Sequence, residues 1–541
     1  MVEAAKTAIL LMRAIWQVVS KIGLLFLIAM FVNLGCPGLA LATSVTGNGD
    51  TFHGVGAETN PHYSFYTNST NTFAAAAHAA NANATINQTR IRASSTEDLL
   101  IGGSLSSAGA NNLTIQQSDG NNTNWAVQWQ DYDANYTYQG FDIAFEDSSG
   151  DAMVVYADGT ATPKYRKYDG SPKAWSGELS ATVTRTAGTV YWVKLATNPG
   201  TDTIALVYKD SNNELGSLIW DGSAWGNEPG TDLSVTAGAT DDFDMGWETS
   251  SNHLMIVDGK TGVNGLHYQH WSGAAWTVDQ LLSNGLDTTQ SQVRVAFDPE
   301  ASTDCVVAAS LDNTATTPDL HMVREAGGAW TVQANFDTTT HSLNSAHVDL
   351  TYAGTTHQAI GVYGDASGGT TLTDMYSNTC GAFANGSGGS APTLGAGAVT
   401  ITGYSDSSSS NAMFLVNEET AAGDLSAFKY TYNAAPGLNA VAESTGSPIT
   451  TDTSTVSTQC FDFAYERVTL VPTLGEYLFA ILILVGLYLG YRQGYFRFLP
   501  RGGPISKFLN LRRYLNSRIL DLWLAKRKKR QNNLVELDKL E

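Results

Sequence analysis

Between residues 113 and 440 the chain consists of short apolar runs separated by polar turns, without long stretches of helical spacing. Two series of runs recur at intervals of about 50 residues. The first comprises residues 141–145, 190–195, 243–247, 293–297, 348–352 and 399–404. The second comprises residues 153–156, 204–208, 254–257, 305–309, 359–363 and 412–416. Short apolar runs bounded by turn residues predict β-strands.

A third recurring feature is an aromatic residue that follows a turn rich in Gly. The series is Trp125, Trp175, Trp225, Trp276, Trp330 and Phe383. Asp221-Gly222 before Trp225 is typical of these turns and predicts a hairpin between two strands. Each unit of about 50 residues therefore holds about four strands, which is typical of a β-propeller blade. An array of β-sandwiches would repeat at about 100 residues.

Closure of the ring is predicted from the ends of the repeat. Six full units run from about residue 139 to 440, and the strand pair 113–117 and 125–129 lacks two preceding strands. The segment FDFAYE at 461–466 closely repeats FDIAFE at 141–146. We therefore expect residues 461–471 to lie beside residues 113–129 in one shared blade, which gives an all-β, seven-bladed propeller. Six or eight blades stay open, depending on how residues 90–103 are used.

Composition and charge restrict the function. Hydrophobic residues make up 43% and charged residues 15%, which excludes a chain disordered by charge and a polytopic membrane protein. Residues 43–490 hold 14 Lys and Arg against 46 Asp and Glu, so we expect no nucleic-acid partner. Residues 43–89 are rich in Asn, Ala, Thr and Ser, and we interpret them as a polar low-complexity lead-in to a propeller ectodomain at 90–471.

The N-terminus has the pattern of an export signal. Basic residues up to Lys21 precede the apolar run 22–34, and the small-residue site Ala40-Leu41-Ala42 follows. Residues 1–42 are predicted to be a signal peptide, with an uncleaved signal anchor as the alternative.

A second apolar segment lies near the C-terminus. Residues 477–491 carry no charge, and Arg492, Arg497 and Arg501 follow them. This pattern predicts a single transmembrane helix within 472–491 whose C-terminal side is cytoplasmic; a buried core helix is the alternative. In the tail, 492–541, apolar residues at helical spacing lie among basic ones, which predicts an amphipathic helix on the anionic inner leaflet or one that docks on a cytoplasmic partner.

A short motif lies directly before this segment. It comprises Val471, Pro472, Thr473, Leu474, Gly475, Glu476 and Tyr477. Motif, apolar segment and basic cluster together resemble the C-terminal sorting signals of exosortase-type systems, especially the I-P-T-L-S-E-W variety. The resemblance implies export, retention by the C-terminal helix and cutting near the Pro by a membrane-embedded cysteine transpeptidase. The chain departs from the pattern at Val471, Gly475 and Tyr477, and it runs on about fifty residues past the helix.

The ectodomain carries no familiar catalytic signature. It lacks G-x-S-x-G, H-E-x-x-H and P-loop motifs, so we predict no catalytic residues and no cofactor. We also predict no metal site, because His267 and His270 alone are closely spaced and strand alternation places them on opposite faces. Cys305 is expected to be a buried thiol in a strand, and the pairing of Cys380 and Cys460 is left open.

The candidate ligand-binding residues lie in the turns between strands. They are Trp220, Asp221, Trp225, Trp271, Trp276 and Trp330. The turns at 220–225 and 271–276 resemble the Trp/Gly hairpins of propeller lectins, in which an aromatic face stacks on a sugar ring and carboxylates bind hydroxyls. Packing of one blade on the next is the alternative, favoured because the aromatic position recurs in nearly every blade. The acidic residue after each second strand is expected to accept hydrogen bonds from its own turn.

Together these patterns predict an exported, single-pass membrane protein of the cell envelope, with its propeller outside and its C-terminus in the cytoplasm. We expect it to bind a protein or glycan partner in adhesion or recognition. A secreted propeller glycoside hydrolase or lyase, and a purely structural envelope component, are the alternatives.

Overall fold

The computed structural model describes most residues between 48 and 465. The chain divides into two compact units, Met1–Thr469 and Leu470–Glu541, and every described residue belongs to the first. Outside the described part lie residues 1–47, 56–57, 81–84, 107–112, 119–123, 132–133, 135–138, 185–187, 230–232, 236–240, 261, 284, 287, 300–303, 313–318, 339–347, 365–371, 386–393, 395–397, 406–410, 419–423, 432–438, 442–448, 450–459 and 466–541.

The described strands form eight antiparallel sheets, which we number as blades in chain order. Blade 1 combines β1 (Gly49–His53), β2 (His62–Thr67), β3 (Thr72–Phe73) and β4 (Ala77–His78) with the last strand, β35 (Phe461–Tyr465). Blade 2 holds β5 (Ile86–Ala93), β6 (Leu100–Ser106), β7 (Leu113–Ser118) and β8 (Trp125–Asp131). Blade 3 holds β9 (Phe141–Phe145), β10 (Ala152–Tyr156), β11 (Lys164–Asp169), β12 (Ala174–Trp175) and β13 (Leu179–Ser180). Blade 4 holds β14 (Val190–Thr197), β15 (Ile204–Asp210), β16 (Glu214–Trp220), β17 (Trp225–Gly226) and β18 (Ser234–Val235).

The remaining four blades follow the same order. Blade 5 holds β19 (Phe243–Trp247), β20 (Leu254–Gly259), β21 (Leu266–Trp271) and β22 (Gln280–Leu282). Blade 6 holds β23 (Gln290–Phe297), β24 (Cys305–Asp312), β25 (Leu320–Ala326) and β26 (Ala329–Asp337). Blade 7 holds β27 (Val348–Tyr352), β28 (Gln358–Gly364), β29 (Leu372–Asn378) and β30 (Ala384–Asn385), with a 3₁₀ turn at Gly354–Thr356. Blade 8 holds β31 (Ala398–Ser405), β32 (Asn411–Glu418), β33 (Leu425–Thr431) and β34 (Asn439–Val441).

The sheets close into a ring, which makes the described unit a β-propeller. An apolar cluster fills the space between every pair of neighbouring blades. Phe461 and Phe463 of β35 pack with Met413 of blade 8, while Phe52 of β1 packs with Trp125 of blade 2. The two chain-terminal portions therefore join blade 8 to blade 2, and the seam is packed like the other interfaces.

The predicted propeller is confirmed, but the blade number and the seam are wrong. The described residues form eight blades instead of seven. Strand β35 pairs with β1, with Phe461 opposite His53, and not with residues 113–129. Blade 2 is complete, because β5 and β6 supply the two strands that the sequence pattern lacked.

The missing blade comes from residues interpreted as a polar lead-in. Residues 43–89 contain β1 to β4 and the start of β5. Their strands bury polar side chains such as Asp50, Thr51 and Ser64 in place of a continuous apolar run. Hydrophobic periodicity is weak in such strands, so the pattern did not reveal them.

The blades alternate between two kinds. The innermost strands of blades 1, 3, 5 and 7 have five residues, whereas those of blades 2, 4, 6 and 8 have eight. The innermost strand of each blade pairs with the second strand. This pairing contains a register shift only in blades 2, 4, 6 and 8, at Ile86/Gln88, Val190/Trp192, Ser291/Arg294 and Ala398/Thr400. The structural repeat is therefore a pair of blades of about 100 residues.

A disulfide joins blades 6 and 7. Cys305 at the start of β24 is bonded to Cys380, which follows β29. The expectation that Cys305 is a free buried thiol was wrong, because alternation alone does not show that a neighbouring blade brings a second cysteine to it. Cys460 is buried and is not part of this disulfide.

The segments predicted to be the signal peptide, the transmembrane helix and the basic tail are not among the described residues. Within the described residues no helix has the length and apolar character needed to cross a bilayer. The predicted signal peptide, the motif from Val471 to Glu476, the apolar segment 477–491 and the basic tail all lie outside the described residues.

Candidate functional site

The recurring aromatic of each hairpin contacts the preceding blade. Ring centroids are separated by 5.0 Å for Phe52 and Trp125, 5.7 Å for Trp129 and Trp175, 6.1 Å for Tyr165 and Trp225, 5.0 Å for Tyr268 and Trp330, and 6.4 Å for Phe336 and Phe383. Trp276 makes the equivalent contact through Nε1, which donates to the carbonyl of Asn227 at 2.8 Å. This position therefore packs blade on blade around most of the ring.

Two of the predicted ligand-binding tryptophans are buried. Trp220 and Trp271 expose only 4% and 6% of their surface. Nε1 of Trp220 donates to Oε1 of Glu146 at 2.6 Å, across the interface between blades 3 and 4. Burial raises the pKa of Glu146, although the bonds from Ser149 and Trp220 oppose that change. Both rings have structural surroundings that leave no face open for stacking.

The turn that precedes Trp225 uses Asp221 internally. The exposed carboxylate of Asp221 accepts hydrogen bonds from Ser223 Oγ at 2.7 Å and from the backbone N–H groups of Ser223 and Ala224, each at 2.9 Å. These bonds lower the pKa of Asp221. Gly222 has φ +91°, a conformation that the turn requires and that a side chain would strain. Asp221 is thus primarily a turn-forming residue.

The other three predicted residues, Trp225, Trp276 and Trp330, are half-buried. Trp225 lies between blades 3 and 4. Of the three tryptophans, it has the most potential ligand-binding groups in its surroundings. We define the Trp225 groove by Tyr165, Lys167, Asp151, Trp220 and Trp225. Tyr165 and Trp225 are both half-buried, and Tyr165 contacts Trp220 and Trp225 at centroid distances of 6.0 and 6.1 Å.

Charged groups complete the Trp225 groove. Nζ of Lys167 lies 2.9 Å from Oδ2 of Asp151 and 5.7 Å above the ring of Trp220. Burial disfavours the charge of Lys167, but Asp151 and Glu146 outweigh it and raise its pKa. The groove thus holds half-buried aromatic side chains beside a cation and a carboxylate, the combination that binds polar ligands with an apolar face.

The opposite face of β11 serves the neighbouring interface. Arg166 lies with its guanidinium 4.7 Å above the ring of Trp129 and 3.8 Å from Oδ2 of Asp131. Because side chains alternate along a strand, Tyr165 and Lys167 face blade 4 while Arg166 faces blade 2.

The acidic residues of the other repeated turn accept hydrogen bonds from the turn or from a neighbouring segment. Asp158 accepts from the backbone and hydroxyl of Thr160, at 3.0 and 2.6 Å. Asp210 accepts from Gly188, Asn212 and Glu214, and Glu418 accepts from Ser426 Oγ at 2.5 Å. Hydrogen bonding inside the turn is confirmed at Asp158 and Asp210, whereas Glu418 bonds to the next strand, β33. Asp365 lies outside the described residues.

A ring of aspartates occupies the innermost strands of the odd-numbered blades. Its members are Asp142, Asp244, Asp349 and Asp462. In each, Oδ1 accepts from the next N–H of its own strand, at 2.8 to 3.0 Å. In each, Oδ2 accepts a backbone N–H from the innermost strand of the following blade, at 2.7 to 2.9 Å. The donors are Leu195 to Asp142, Val295 to Asp244, Gly403 to Asp349 and Ile91 to Asp462. Four identical carboxylates therefore join four pairs of blades.

Residues of the even-numbered blades connect these pairs to one another. The contacts are Arg92 to Asp142 at 3.4 Å, Lys194 to Asp244 at 3.3 Å, Arg294 to Asp349 at 3.8 Å and the hydroxyl of Tyr404 to Asp462 at 2.7 Å. Three cations and one phenol thus alternate with four carboxylates around the axis. We call this the axial charge ring.

Burial shapes the ionisation of the ring. It raises the pKa of Asp349 to about 6, against the effect of Arg294. Asp241 lies between Lys194 at 3.1 Å and Arg294 at 2.6 Å, and these cations outweigh burial and lower its pKa. The charges of the ring are largely neutralised within it, so its evident role is closure of the propeller.

The sequence analysis missed the axial charge ring and one further cluster. The recurrence of an Asp at positions 142, 244, 349 and 462, about 100 residues apart, was a usable signal for the ring. The second cluster brings His53, His62 and His78 together in blade 1. Its histidines are on three strands of the segment taken as a lead-in, so no short spacing indicated them.

No protein-family model matches the sequence, and no curated protein matches it either. Among solved structures, the chain is similar to a lectin from Burkholderia pseudomallei at 11% identity and a TM-score of 0.45, with 66% of this chain and 99% of that chain covered. It is also similar to the β-propeller domain of the Trilobed protease from Pyrococcus furiosus, described as having an open velcro topology, at 10% identity and a TM-score of 0.37, with 66% and 96% covered. A third is the Aleuria aurantia lectin in complex with Fucalpha1-6GlcNAc, at 14% identity and a TM-score of 0.33, with 56% and 95% covered. At these identities and TM-scores the similarities say nothing about the ligand of this chain.

Proposed function

We propose that the protein is a membrane-anchored, cell-surface propeller that binds a glycan in the Trp225 groove. The observation that carries the proposal is the placement of Tyr165 and Trp225, both half-buried, beside Lys167 and Asp151. Aromatic faces stack on the apolar face of a sugar ring, while an ammonium and a carboxylate hydrogen-bond to its hydroxyls. The buried Trp220 supports the groove floor instead of contacting the ligand.

Binding is tested with the purified full chain. A glycan array identifies a ligand, and titration calorimetry then compares Lys167→Gln with the wild type. We expect a loss of at least tenfold in affinity, because the substitution removes the only cation named in the groove. Lys164→Gln is the matched control, since Lys164 lies on the same strand and pairs with Asp158 on another face. Equal affinity of both variants and the wild type would refute the groove as the site.

Protein binding by the same surface is distinguishable from glycan binding. A protein partner recovered from the cell envelope would lose affinity in Lys167→Gln without competition by sugars. Competition by a free glycan identified on the array supports the glycan proposal, and its absence contradicts it.

Anchoring is a separate part of the proposal. It rests on the uncharged segment 477–491 and the basic residues after it. We expect the full-length chain, before any processing, to resist extraction by alkaline carbonate, and a tag after Glu541 to be protected from protease in intact cells. Removal of residues 472–541 should release the ectodomain. A tag that is digested from outside would refute the orientation.

Processing by an exosortase-type enzyme is the third part. It rests on the motif Val471, Pro472, Thr473, Leu474, Glu476. The intact mass of the mature chain checks it: processing predicts a C-terminus near the motif, which Pro472→Ala should prevent. A full-length C-terminus in the wild type would refute processing and leave anchoring intact.

A further inference from the structure

Three histidines are neighbours across the outer part of blade 1. His53 of β1 is the register partner of His62 of β2, and His62 is the register partner of His78 of β4. Directly opposed residues of antiparallel strands project from the same face of a sheet, so the three rings form a row. Ring centroids are 5.9 Å apart for His53 and His62, and 4.3 Å apart for His62 and His78.

A carboxylate meets two of these rings. Oε2 of Glu58, from the connection between β1 and β2, lies 3.0 Å from Nε2 of His62 and 3.6 Å from Nδ1 of His78. The three ligand-type atoms all lie within 4.8 Å of one another. In a tetrahedral zinc site with bonds of about 2.0–2.1 Å, neighbouring ligand atoms are about 3.4 Å apart. The observed separations are therefore compatible with one shared ion.

The backbone holds the three groups in place. The N–H of Glu58 donates to the carbonyl of Val55 at 2.9 Å, which ties the backbone of Glu58 to that of Val55. The N–H of Ala79 donates to the carbonyl of Pro61 at 2.8 Å, which fixes the end of β4 beside His62. Each ligand thus comes from a different, tied-down part of the blade.

We propose that Glu58, His62 and His78 bind a divalent first-row transition metal, with Zn²⁺ the preferred ion. Two imidazoles and one carboxylate form a donor set that suits Zn²⁺, whereas Ca²⁺ and Mg²⁺ prefer oxygen alone. The three protein ligands leave a fourth position for water or another ligand. His53 lies behind His62, fully buried, with its Nε2 lacking a hydrogen-bond partner among the described residues.

The site stabilises the blade in which the two ends of the propeller meet. The ion links the β1–β2 connection, β2 and β4, and β1 in turn pairs with β35. A ligand that binds the folded state alone stabilises it in proportion to the logarithm of its concentration over Kd. Zinc would therefore protect the N-terminal strands from separating from the ring.

The experiment uses the purified full chain after treatment with a chelator and buffer exchange. Titration calorimetry with ZnCl2 should show one ion per chain, with affinity lowered at least tenfold in His78→Ala and in Glu58→Gln. Both substitutions are at exposed positions, so the fold is retained, and circular dichroism confirms this. CoCl2 should give the intense visible bands of a tetrahedral site in the wild type and not in the variants.

A second histidine pair provides the control. His253 and His270 stack at 5.6 Å in blade 5, and His253 lies 3.6 Å from Glu248. Among the described residues, His253, His270 and Glu248 do not bring three ligand atoms within 4.8 Å of one another. His253→Ala should bind Zn²⁺ as the wild type does. Failure of the wild type to take up zinc, equal binding by His78→Ala, or an equal response to CaCl2 would each overturn the proposal.

Discussion

The guanidinium of Arg92 lies 2.6 Å from Oδ2 of Asp462, although 370 residues separate them in the chain. The same oxygen accepts the N–H of Ile91 at 2.9 Å. Asp462 belongs to β35 and Arg92 to β5, so this contact joins the last described strand to blade 2. The charge pairing that closes the ring therefore lies at its seam as well as between its other blades.

Removal of Asp462 should destabilise the seam. Asp462→Ala deletes an ion pair, two backbone hydrogen bonds and the bond from the hydroxyl of Tyr404, and we expect it to lower the free energy of unfolding by about 3–5 kcal/mol. Asp462→Asn keeps an acceptor for Ile91 and should cost less. Urea unfolding, followed by circular dichroism, measures both.

The control for this prediction is Asp169→Ala. Asp169 is an exposed residue at the end of β11, and its removal should change stability by less than about 0.5 kcal/mol. If Asp462→Ala behaved like Asp169→Ala, the axial charge ring would have no role in closure.

Stability should depend on pH through Glu325. This side chain is buried at the interface of blades 5 and 6, its Oε1 accepts the N–H of Gly328, and burial raises its pKa to about 7. A carboxyl whose pKa is raised in the folded state favours unfolding once the pH exceeds the unfolded pKa. The destabilisation is absent below about pH 4.5 and complete above about pH 7.

Glu325→Gln removes this dependence. The gain in stability over the wild type should be small at pH 4.5 and reach about 3 kcal/mol at pH 8, because burial raises the pKa of the wild-type carboxyl to about 7 and the amide carries no charge. Glu97→Gln, which alters a surface pair with Lys173, is the matched control. Thermal unfolding at a series of pH values provides the readout, and a flat Glu325→Gln difference would show that the carboxyl is not shifted.

The disulfide between Cys305 and Cys380 should contribute to stability by closing a chain of 75 residues between blades 6 and 7. We expect Cys380→Ser to lower the free energy of unfolding by about 2–4 kcal/mol. Thiol titration of the denatured chain should rise by two thiols on reduction. An unchanged thiol count would show that the bond does not form.

The recurring strands could be predicted from the sequence because their apolar runs are continuous. The innermost strands at 141–145, 243–247 and 348–352 were predicted with the bounds that the structure gives them. Blade 1 was missed because β1 buries Asp50 and Thr51 beside Phe52, so the hydrophobic pattern does not show a strand. Because blade 1 was missed, seven blades were predicted instead of eight.

The candidate site was less predictable for a different reason. The turn tryptophans were identified, but the sequence does not distinguish a ring that faces solvent from one buried under the next blade. The indole N–H of Trp220 donates to Glu146, which lies 74 residues earlier in the chain. The sequence around Trp220 does not indicate that partner. The same applies to His62 and His78, which become neighbours only through strand pairing.

The bond between Trp220 and Glu146 allows a direct test of packing against ligand binding. Trp220→Phe removes the donor and leaves Glu146 buried with Ser149 as its remaining side-chain donor at 2.7 Å. We expect a loss of about 2–3 kcal/mol in the free energy of unfolding. In the Glu146→Gln background the same substitution should cost less, with a coupling energy of about 1–2 kcal/mol in a double-mutant cycle.

Trp276→Phe is the matched control, because its Nε1 donates to a carbonyl in a more exposed contact. Its cost should be below about 1.5 kcal/mol and should not depend on Glu146. Affinity for any glycan found on the array is measured on the same proteins. Unchanged stability together with loss of glycan binding in Trp220→Phe would contradict this prediction. It would show that Trp220 contacts the ligand and does not pack between blades 3 and 4.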